Sequence, residues 1–391
     1  MKMGFFSDTY LPTIHGVNVS IESFRKELEK EGHEVYIFTP YIPGYKDANP
    51  RVFRLRSLPF LKNPEIRIGL PTMKNSSLRK IVNIKLDIVH AHTPFNLGLL
   101  ARYVARKQKI PLVYTHHTRI SEEATAYFKS KKILPRLARS IYVSFANKNN
   151  AVIAPSEGLK NILEKEGVRK PIYVLPTGVD LHFFGFNEKS EKESRHIREK
   201  FGITPQEKVL IFVGRLDPEK NVEFLIESFG KLLTKYKEIK FLIVGSGFHE
   251  NKLKQYSKDI PSGHIVFAGS VPFEKMPFYY QAADAFVFSS PTETQGLVIL
   301  EAMASGLPIV AVKNRIIDNL IESGKNGYLL DSFDTGIFAE KVLDIISHPE
   351  IQKKYSRASL EVAADFSVQK QTARLLEIYN QLIGKKNALE L

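Results

Sequence analysis

The chain has 391 residues, of which 43% are hydrophobic and 25% are charged. This length exceeds what one hydrophobic core usually organises, so we expect two domains, and the composition excludes a disordered chain, a collagen or a coiled-coil rod. The absence of cysteine excludes a disulfide scaffold, a thiolate zinc site and a cysteine nucleophile. No apolar run reaches the ~18 residues that span a bilayer, and the N-terminus lacks the pattern of a signal peptide, so we expect a cytoplasmic protein.

The formal net charge of +14 comes from the first half of the chain. Residues 1–175 carry 29 basic and 14 acidic side chains, whereas residues 176–391 carry 27 and 28. A one-sided positive field of this kind predicts a polyanionic partner: nucleic acid, anionic lipid headgroups or a phosphorylated substrate. A protein whose basic charge serves only its solubility is the alternative.

Strand and helix patterns alternate in the first half of the chain. Four apolar runs predict strands, at residues 1–8, 33–40, 86–94 and 110–117. Helical patterns separate some of them, one through Val19, Phe24 and Leu28 and one over Leu97–Lys107. Strands joined by helices of this length predict a parallel α/β sheet.

The second half repeats this pattern more clearly. Five apolar, β-branched runs predict strands, at residues 208–216, 241–247, 264–271, 284–290 and 307–312. A helix beginning near Val222 places apolar residues at intervals of three and four. We therefore expect two Rossmann-like domains facing a central cleft, over residues 1–175 and 176–370, with ligands beyond the carboxyl ends of the strands.

The clearest candidate site is an E-x₇-E pattern. Glu293 lies in the loop after a predicted strand, and Glu301 lies inside a helix that begins at Gly296 and Leu297. The free N–H groups of a first helical turn form an anion site, and a carboxylate one turn further on could accept hydrogen bonds from a ribose. The alternative is a helix-capping carboxylate beside a surface glutamate.

A second candidate site follows the strand predicted at residues 208–216. Arg215 and Lys220 stand at its carboxyl end, where two cations can hold phosphates and stabilise a departing diphosphate. Two solvated bases in a loop are the alternative. Gly16 and Gly245 lie in predicted turns where backbone could approach a ligand, but neither belongs to a G-x-G-x-x-G or Walker loop, which argues against a dinucleotide dehydrogenase or a P-loop NTPase.

Histidines gather at the ends of two predicted strands, at His90, His92, His116 and His117. The carboxylates and the i, i+4 pairing of a zinc hydrolase are missing, and the chain contains no D-x-D pattern. We therefore predict no metal site and no cofactor.

Residues 129–148 predict an amphipathic helix. Apolar residues recur there at intervals of three and four, and cations border them at Lys129, Lys131, Lys132, Arg136, Arg139 and Lys148. The pattern is typical of a helix that lies on anionic lipid. The alternative is a helix that packs on its own domain with a hydrated basic face.

Together, the loop at Gly16, the pair Arg215 and Lys220, and the pair Glu293 and Glu301 resemble the family 4 retaining glycosyltransferases of GT-B fold. The likeness runs along essentially the whole chain. The segments FSDTYLPTIHGV, LDIVHAHTPF, VYTHHT and TETQGL are most similar to the bacterial diacylglycerol glucosyltransferases of this family.

The resemblance implies a role for each candidate residue. Arg215 and Lys220 would bind the donor's diphosphate, Glu301 its ribose and Glu293 the transferred sugar. Further donor contacts are implied for Gly16, Gly245, Val271, Gly296 and Leu297. His117 would lie close to the reacting sugar, although the sequence does not decide between it and His116.

For the first domain, the resemblance implies acceptor binding. Asp8 and Tyr10 would face the acceptor. The membrane contact would be formed by Lys131, Lys132, Arg136 and Arg139. The C-terminal helix, about residues 371–391, would pack back on this domain.

The activity implied is metal-independent, retaining transfer of a hexose, with UDP-glucose as the favoured donor and a membrane lipid such as diacylglycerol as acceptor. The enzyme would associate peripherally with the inner face of the cell membrane. Alternatives are GDP-mannose or another nucleotide sugar with a soluble or polysaccharide-precursor acceptor, a nucleotide-sugar 2-epimerase, and a nucleotide-sugar sensor without activity. A nucleic-acid-binding protein is disfavoured because the basic residues form no known recognition motif, so no nucleic-acid partner is expected.

Overall fold

The computed structural model describes residues 1–13, 16–60, 63–70, 81–117 and 133–389. The chain divides into two compact units: the first consists of residues 1–178 and 368–391, and the second of residues 179–367. Each unit is built on a parallel sheet with helices in the connections, which confirms the predicted α/β class. Among the helices in these described ranges, none is long and apolar enough to cross a bilayer.

The first unit contains a seven-stranded parallel sheet and a separate hairpin. Its strands are β1 (Lys2–Phe6), β2 (Glu34–Pro40), β3 (Val52–Leu55), β4 (Ser57–Phe60), β5 (Asn63–Gly69), β6 (Ile88–Ala91), β7 (Leu112–Thr115), β8 (Ala151–Ala154) and β9 (Ile172–Val174). The sheet order is β3-β2-β1-β6-β7-β8-β9, while β4 and β5 pair antiparallel. The central strands β6, β7 and β8 are buried at every residue, as expected for parallel strands covered on both faces.

Helices in the described parts of the connections between these strands include α1 (Gly16–Lys30), α2 (Asn96–Gln108), α3 (Ile133–Ala146) and α4 (Glu157–Glu166). The spacing of Val17, Ile21, Phe24 and Leu28 gives α1 one apolar face, and all four side chains are buried. This face packs on the sheet.

The second unit contains a six-stranded parallel sheet. Its strands are β10 (Lys208–Val213), β11 (Ile239–Val244), β12 (Ile265–Gly269), β13 (Ala285–Phe288), β14 (Ile309–Val312) and β15 (Gly327–Leu330), in the order β12-β11-β10-β13-β14-β15. The chain reverses its direction across the sheet between β10 and β13. This strand order is that of a Rossmann fold, whose ligands bind where the order reverses.

The helices of the second unit are α5 (Leu181–Phe184), α6 (Glu188–Lys200), α7 (Val222–Lys235), α8 (Glu250–Tyr256), α9 (Met276–Gln281), α10 (Leu297–Ala304), α11 (Thr335–Ser347) and α12 (Pro349–Asp365). The last helix, α13 (Val368–Leu389), returns to the first unit and packs on α1. Leu375 and Tyr379 of α13 are fully buried in the same core as Phe24 and Leu28.

Candidate active site

The two sequence motifs meet where the strand order of the second sheet reverses, between β10 and β13. We call this place the switch point of the sheet. The segment after β10 carries Arg215 and Lys220, and the segment after the neighbouring strand β13 carries Glu293 and Gly296. Both segments leave the carboxyl ends of paired parallel strands, so they border the same crevice.

Lys220 and Glu293 form an ion pair at this crevice. The Lys220 Nζ lies 2.7 Å from Glu293 Oε1, and the two side chains are 16% and 14% exposed. Because most of the surrounding water is excluded, each charge holds the other in place more firmly than a surface pair would. The pair therefore fixes an ammonium group at the switch point.

Two buried serines at the end of β13 hold the lysine loop. The Ser289 hydroxyl lies 3.1 Å from the carbonyl oxygen of Lys220 and 2.9 Å from that of Asn221. The Ser290 hydroxyl donates to the carbonyl oxygen of Glu219 at 3.1 Å. The end of one strand thus positions the loop that follows its neighbour. The sequence analysis did not identify these serines, because a serine pair after a strand has no distinctive pattern.

Arg215 occupies a more exposed position than Lys220. Its side chain is 56% exposed, and its guanidinium lies 2.9 Å from Asp217 Oδ2 and 2.8 Å from Glu219 Oε1. Both carboxylates belong to the same loop. A guanidinium has five N–H donors, so these two contacts leave donors that a phosphate could engage.

The residue directly before α10 is Gly296, and its conformation and surroundings make it difficult to replace. Gly296 has φ of 78°, and a Cβ atom there would lie 2.9 Å from a side-chain carbon of Ile317. First-turn N–H groups have no partner within their own helix, so Leu297 and Val298 present donors where the helix leaves the strand end. The arrangement suits a negatively charged ligand.

Glu301 lies inside α10 and is 6% exposed. Its Oε2 accepts a hydrogen bond of 2.8 Å from the Tyr280 hydroxyl of α9. Burial raises the pKa of Glu301 from 4.5 to about 7, since the charged carboxylate loses water and the Tyr280 hydroxyl offsets only part of that loss. The sequence analysis did not identify Tyr280, which lies on a different helix.

Two further predicted donor residues follow β11 and β12, the strands on the other side of β10 from β13. Gly245 follows β11 with φ of 136°, and a Cβ atom there would lie 1.8 Å from the carbonyl oxygen of Gly214. The ends of β10 and β11 can approach this closely only because residue 245 is glycine. Val271 follows β12 and is half-buried.

The switch point of the first sheet lies between β1 and β6. The Asp8 carboxylate there accepts hydrogen bonds of 2.5 Å from the Thr93 hydroxyl and 3.2 Å from the Leu97 N–H at the start of α2. Burial raises the pKa of Asp8 to about 6. The carboxylate therefore joins two strand ends to a helix N-terminus, and the hydrogen bonds from Thr93 and Leu97 offset only part of the effect of burial.

The other two predicted residues near this switch point differ from Asp8. Tyr10 is 3% exposed, packs in the hydrophobic core and donates its hydroxyl to Glu22. Its phenol is therefore already engaged inside the first unit. Gly16 is the exposed first residue of α1, and nothing lies within 4 Å of the position that a Cβ atom would take.

The structure separates the two neighbouring histidines. His116 is buried, its Nδ1 lies 2.8 Å from the Tyr114 hydroxyl and its ring packs against Tyr142. His117 is half-buried, and its Nε2 lies 2.9 Å from His92 Nδ1. His116 is thus a core residue, and His117 is the more accessible of the two.

Three histidine rings form a stacked column that ends at His117. The His90 and His92 ring centroids are 4.2 Å apart, and those of His92 and His117 are 5.2 Å apart. His90 also lies 2.6 Å from the hydroxyls of Tyr379 and Thr115, and burial lowers its pKa to about 3. His90 is therefore neutral. Within the described ranges, no group of three His, Asp or Glu side chains could hold a metal ion.

The predicted membrane helix is described only in part. Lys131 and Lys132 lie outside the described residues, whereas Arg136 and Arg139 are exposed on α3. The structure divides the predicted apolar stripe into two groups. Tyr142 and Phe145 are buried against the rest of the unit, while Leu137 and Ile141 are exposed.

Comparison with known proteins extends over both units. Residues 14–183 match Glycosyltransferase Family 4, and residues 193–362 match Glycosyl transferases group 1. An alpha-monoglucosyldiacylglycerol synthase of Streptococcus pneumoniae is 33% identical over 84% of this chain and 75% of its own length. One of Acholeplasma laidlawii is 31% identical over 99% and 98%. A GDP-mannose-dependent alpha-mannosyltransferase of Mycobacterium tuberculosis is 27% identical over 89% and 88%.

Solved structures share the fold. HepE of Anabaena in complex with UDP and glucose matches with a TM-score of 0.78 at 20% identity, over 98% of this chain and all of that one. The chain belongs to the family 4 retaining glycosyltransferases and has the GT-B fold, as the sequence motifs predicted. It is a hexosyltransferase whose similar relatives include two glucosyldiacylglycerol synthases.

Proposed function

We propose that this chain transfers glucose from UDP-glucose to diacylglycerol at the inner face of the cell membrane, with retention and without a metal ion. The observation that carries the donor half of this proposal is the Lys220–Glu293 pair beside the glycine-initiated start of α10. The names of the relatives that are 31–33% identical support the lipid acceptor.

The second unit would bind the donor, with different residues along the crevice contacting the diphosphate, the ribose and the base. Lys220, Arg215 and the N–H groups at Gly296 and Leu297 would hold the diphosphate. Glu301 would share hydrogen bonds with the ribose hydroxyls. Because its pKa is about 7, its carboxyl group can carry a proton near neutral pH. A protonated carboxyl donates one hydrogen bond and accepts others. Gly245 and Val271 would lie along the base.

The reaction breaks the bond between the sugar C1 and the diphosphate oxygen and forms one between C1 and the acceptor oxygen on the same face. Positive charge develops on the sugar ring and negative charge on the leaving diphosphate. Lys220 and the first-turn N–H groups of α10 stabilise that negative charge. The acceptor's proton passes to a diphosphate oxygen. Glu293, which is bound to Lys220, orients the ammonium group and the sugar and forms no covalent bond.

The first unit would bind the acceptor and the membrane. It carries the positive charge excess of the chain, and its helix α3 exposes Arg136 and Arg139 beside Leu137 and Ile141. Apolar side chains bordered by arginines suit a surface of anionic lipid. Asp8 and His117 are the polar groups of this unit that we propose for contact with the acceptor and the sugar.

A second candidate is transfer of mannose from GDP-mannose. It is supported by the 27% identity to a GDP-mannose-dependent alpha-mannosyltransferase over most of both chains. The two candidates are distinguished by supplying each donor in turn to the same acceptor.

The test is product formation from radiolabelled UDP-glucose and diacylglycerol in mixed anionic micelles that contain a chelator. We expect an α-linked glucolipid, and a Lys220→Ala variant that forms it on the order of 10²–10³-fold more slowly. Lys235→Ala is the matched control, because Lys235 is a half-exposed lysine of the same unit. Product from GDP-mannose alone would select the second candidate, and product only with added metal would contradict the mechanism.

The membrane contact of α3 is tested by co-sedimentation with vesicles that contain phosphatidylglycerol. Arg136→Gln with Arg139→Gln should weaken binding, since each cation near such a surface contributes about 1 kcal/mol. Arg195→Gln is the control, because Arg195 is 71% exposed in the second unit. Equal binding of both variants would remove α3 from the membrane contact.

A further inference from the structure

We propose that a second helix, α2, lies on the same anionic bilayer through the side chains of Phe95, Leu99 and Tyr103. This inference rests on the proposed membrane association, but it concerns residues that carry no motif and that the sequence analysis did not single out. It enlarges the lipid contact from one helix to a face made of two.

The three side chains form an exposed apolar stripe. Phe95 precedes the first residue of α2, and Leu99 and Tyr103 follow at intervals of four, which aligns them along one side of the helix. They are 46%, 48% and 45% exposed, respectively. Three large apolar residues aligned in this way expose a continuous patch rather than scattered contacts.

The stripe is not needed to hold α2 on its sheet. The opposite side of the helix supplies Leu97, Leu100, Ala101 and Val104, all buried. These residues already form the apolar face of an amphipathic helix that packs on a core. The exposed stripe is therefore apolar surface additional to the packing face, which calls for a partner outside the unit.

The stripe and the exposed residues of α3 lie on the same side of the first sheet. The helices α2 and α3 follow successive strands of the parallel order β6-β7-β8, and right-handed connections place both on the same side of the sheet. A Cβ atom at Gly98, in the first turn of α2, would lie 3.0 Å from the Phe145 ring near the end of α3, so the two helices touch at this point. The exposed Leu137 and Ile141 belong to α3 and therefore lie on the same side of the sheet as the α2 stripe.

The charged side chains of α2 and α3 all have one sign. Neither α2 nor α3 contains an aspartate or a glutamate. Arg102, Arg106 and Lys107 belong to α2, while Arg136 and Arg139 belong to α3. Cations around exposed apolar side chains match the anionic headgroups and acyl chains of a bilayer, and a tyrosine suits the interface between the two.

The same charges disfavour two other occupants. A second copy of this chain would have to bring an identical, wholly cationic face against this one in a symmetric dimer, and like charges would repel. A nucleic acid would engage the cations but would leave the apolar stripe in water. A bilayer satisfies both the charge and the apolar surface.

The experiment measures binding of the full chain to vesicles of phosphatidylcholine with and without phosphatidylglycerol, in the absence of donor and acceptor. The variant Leu99→Gln with Tyr103→Gln replaces two of the three apolar side chains of the stripe by glutamine, a polar residue that favours helix formation. Ile337→Gln with Leu360→Gln is the matched control, because these two side chains are exposed on α11 and α12 of the second unit. Circular dichroism and thermal unfolding verify that each variant folds.

We expect the α2 variant to lose about tenfold in vesicle affinity, the equivalent of about 1.4 kcal/mol, while the control variant binds as the wild type does. Arg102→Gln with Arg106→Gln should weaken binding only to the vesicles with phosphatidylglycerol. Unchanged binding of the α2 variant would overturn the proposal. So would a wild-type dimer that this variant dissociates without a change in vesicle binding.

The outcome is independent of the proposed reaction. Glucolipid formation in micelles by a wild type that binds no vesicles would refute this inference and the membrane contact of α3, and it would leave the proposed transfer reaction standing. Vesicle binding that depends on α2, with no glucolipid formed, would support this inference and refute the proposed transfer reaction.

Discussion

Replacing Glu301 by glutamine should change how the stability of the protein depends on pH. The pKa of this buried carboxyl is about 7, against an ordinary value of 4.5. Between these values the native state retains a proton that the unfolded chain has lost. The free energy of unfolding therefore falls as the pH rises through this window. At about 1.4 kcal/mol per pKa unit, the full effect is about 3 kcal/mol.

In Glu301→Gln this pH dependence disappears, while the Tyr280 hydroxyl keeps an acceptor. Relative to the wild type, the variant should gain up to about 3 kcal/mol on going from pH 4 to pH 8. The assay is urea unfolding followed by circular dichroism across this range, with the exposed Glu322→Gln as the control. Because the side chain would bind the ribose, UDP affinity should fall in the same variant. An unchanged pH slope in Glu301→Gln would refute the burial argument.

Three other substitutions test the site. Lys220→Ala should slow transfer on the order of 10²–10³-fold while the fold stays intact, as measured by turnover and thermal unfolding; a wild-type rate would show that the ammonium does not stabilise the leaving group. Gly245→Ala should destabilise the second unit by about 3 kcal/mol in urea, since its Cβ would meet the Gly214 carbonyl at 1.8 Å; a smaller loss would mean that the strand ends can move apart. His92→Phe keeps a ring in the stack but removes the bond to His117, so the turnover number should drop about tenfold with UDP affinity unchanged.

The α/β class and the main donor motifs were predictable because they are local signals. Apolar runs mark buried parallel strands, and charged residues or glycine directly after such runs mark strand ends. Arg215, Lys220, Glu293 and Gly296 all occupy such positions. The sequence could therefore indicate that these residues gather at one edge of a sheet.

The partners of these residues were not predictable in the same way. Tyr280 reaches Glu301 from another helix, and Ser289 reaches the carbonyl of Lys220 across 69 positions. Such pairs depend on how helices and strands pack against each other, and a local sequence pattern does not indicate that packing. The antiparallel pair β4 and β5 was also missed, since β4 has only four residues and contains Pro59.

Helical periodicity also could not decide which apolar residues face inward. The predicted stripe of residues 129–148 combines Tyr142 and Phe145, which are buried, with Leu137 and Ile141, which are exposed. All four satisfy the spacing of three and four. Only the position of α3 against its neighbours separates a packing face from a surface that meets a partner.

The return of α13 to the first unit affects how the chain is made. The core of that unit contains Leu375 and Tyr379, which leave the ribosome roughly two hundred residues after Gly178. The second unit is continuous in sequence, so it can complete its own core during translation. The core of the first unit is incomplete until α13 has been synthesised. Until then the face of α1 that α13 covers remains open, and binding of a chaperone to the nascent chain is expected there.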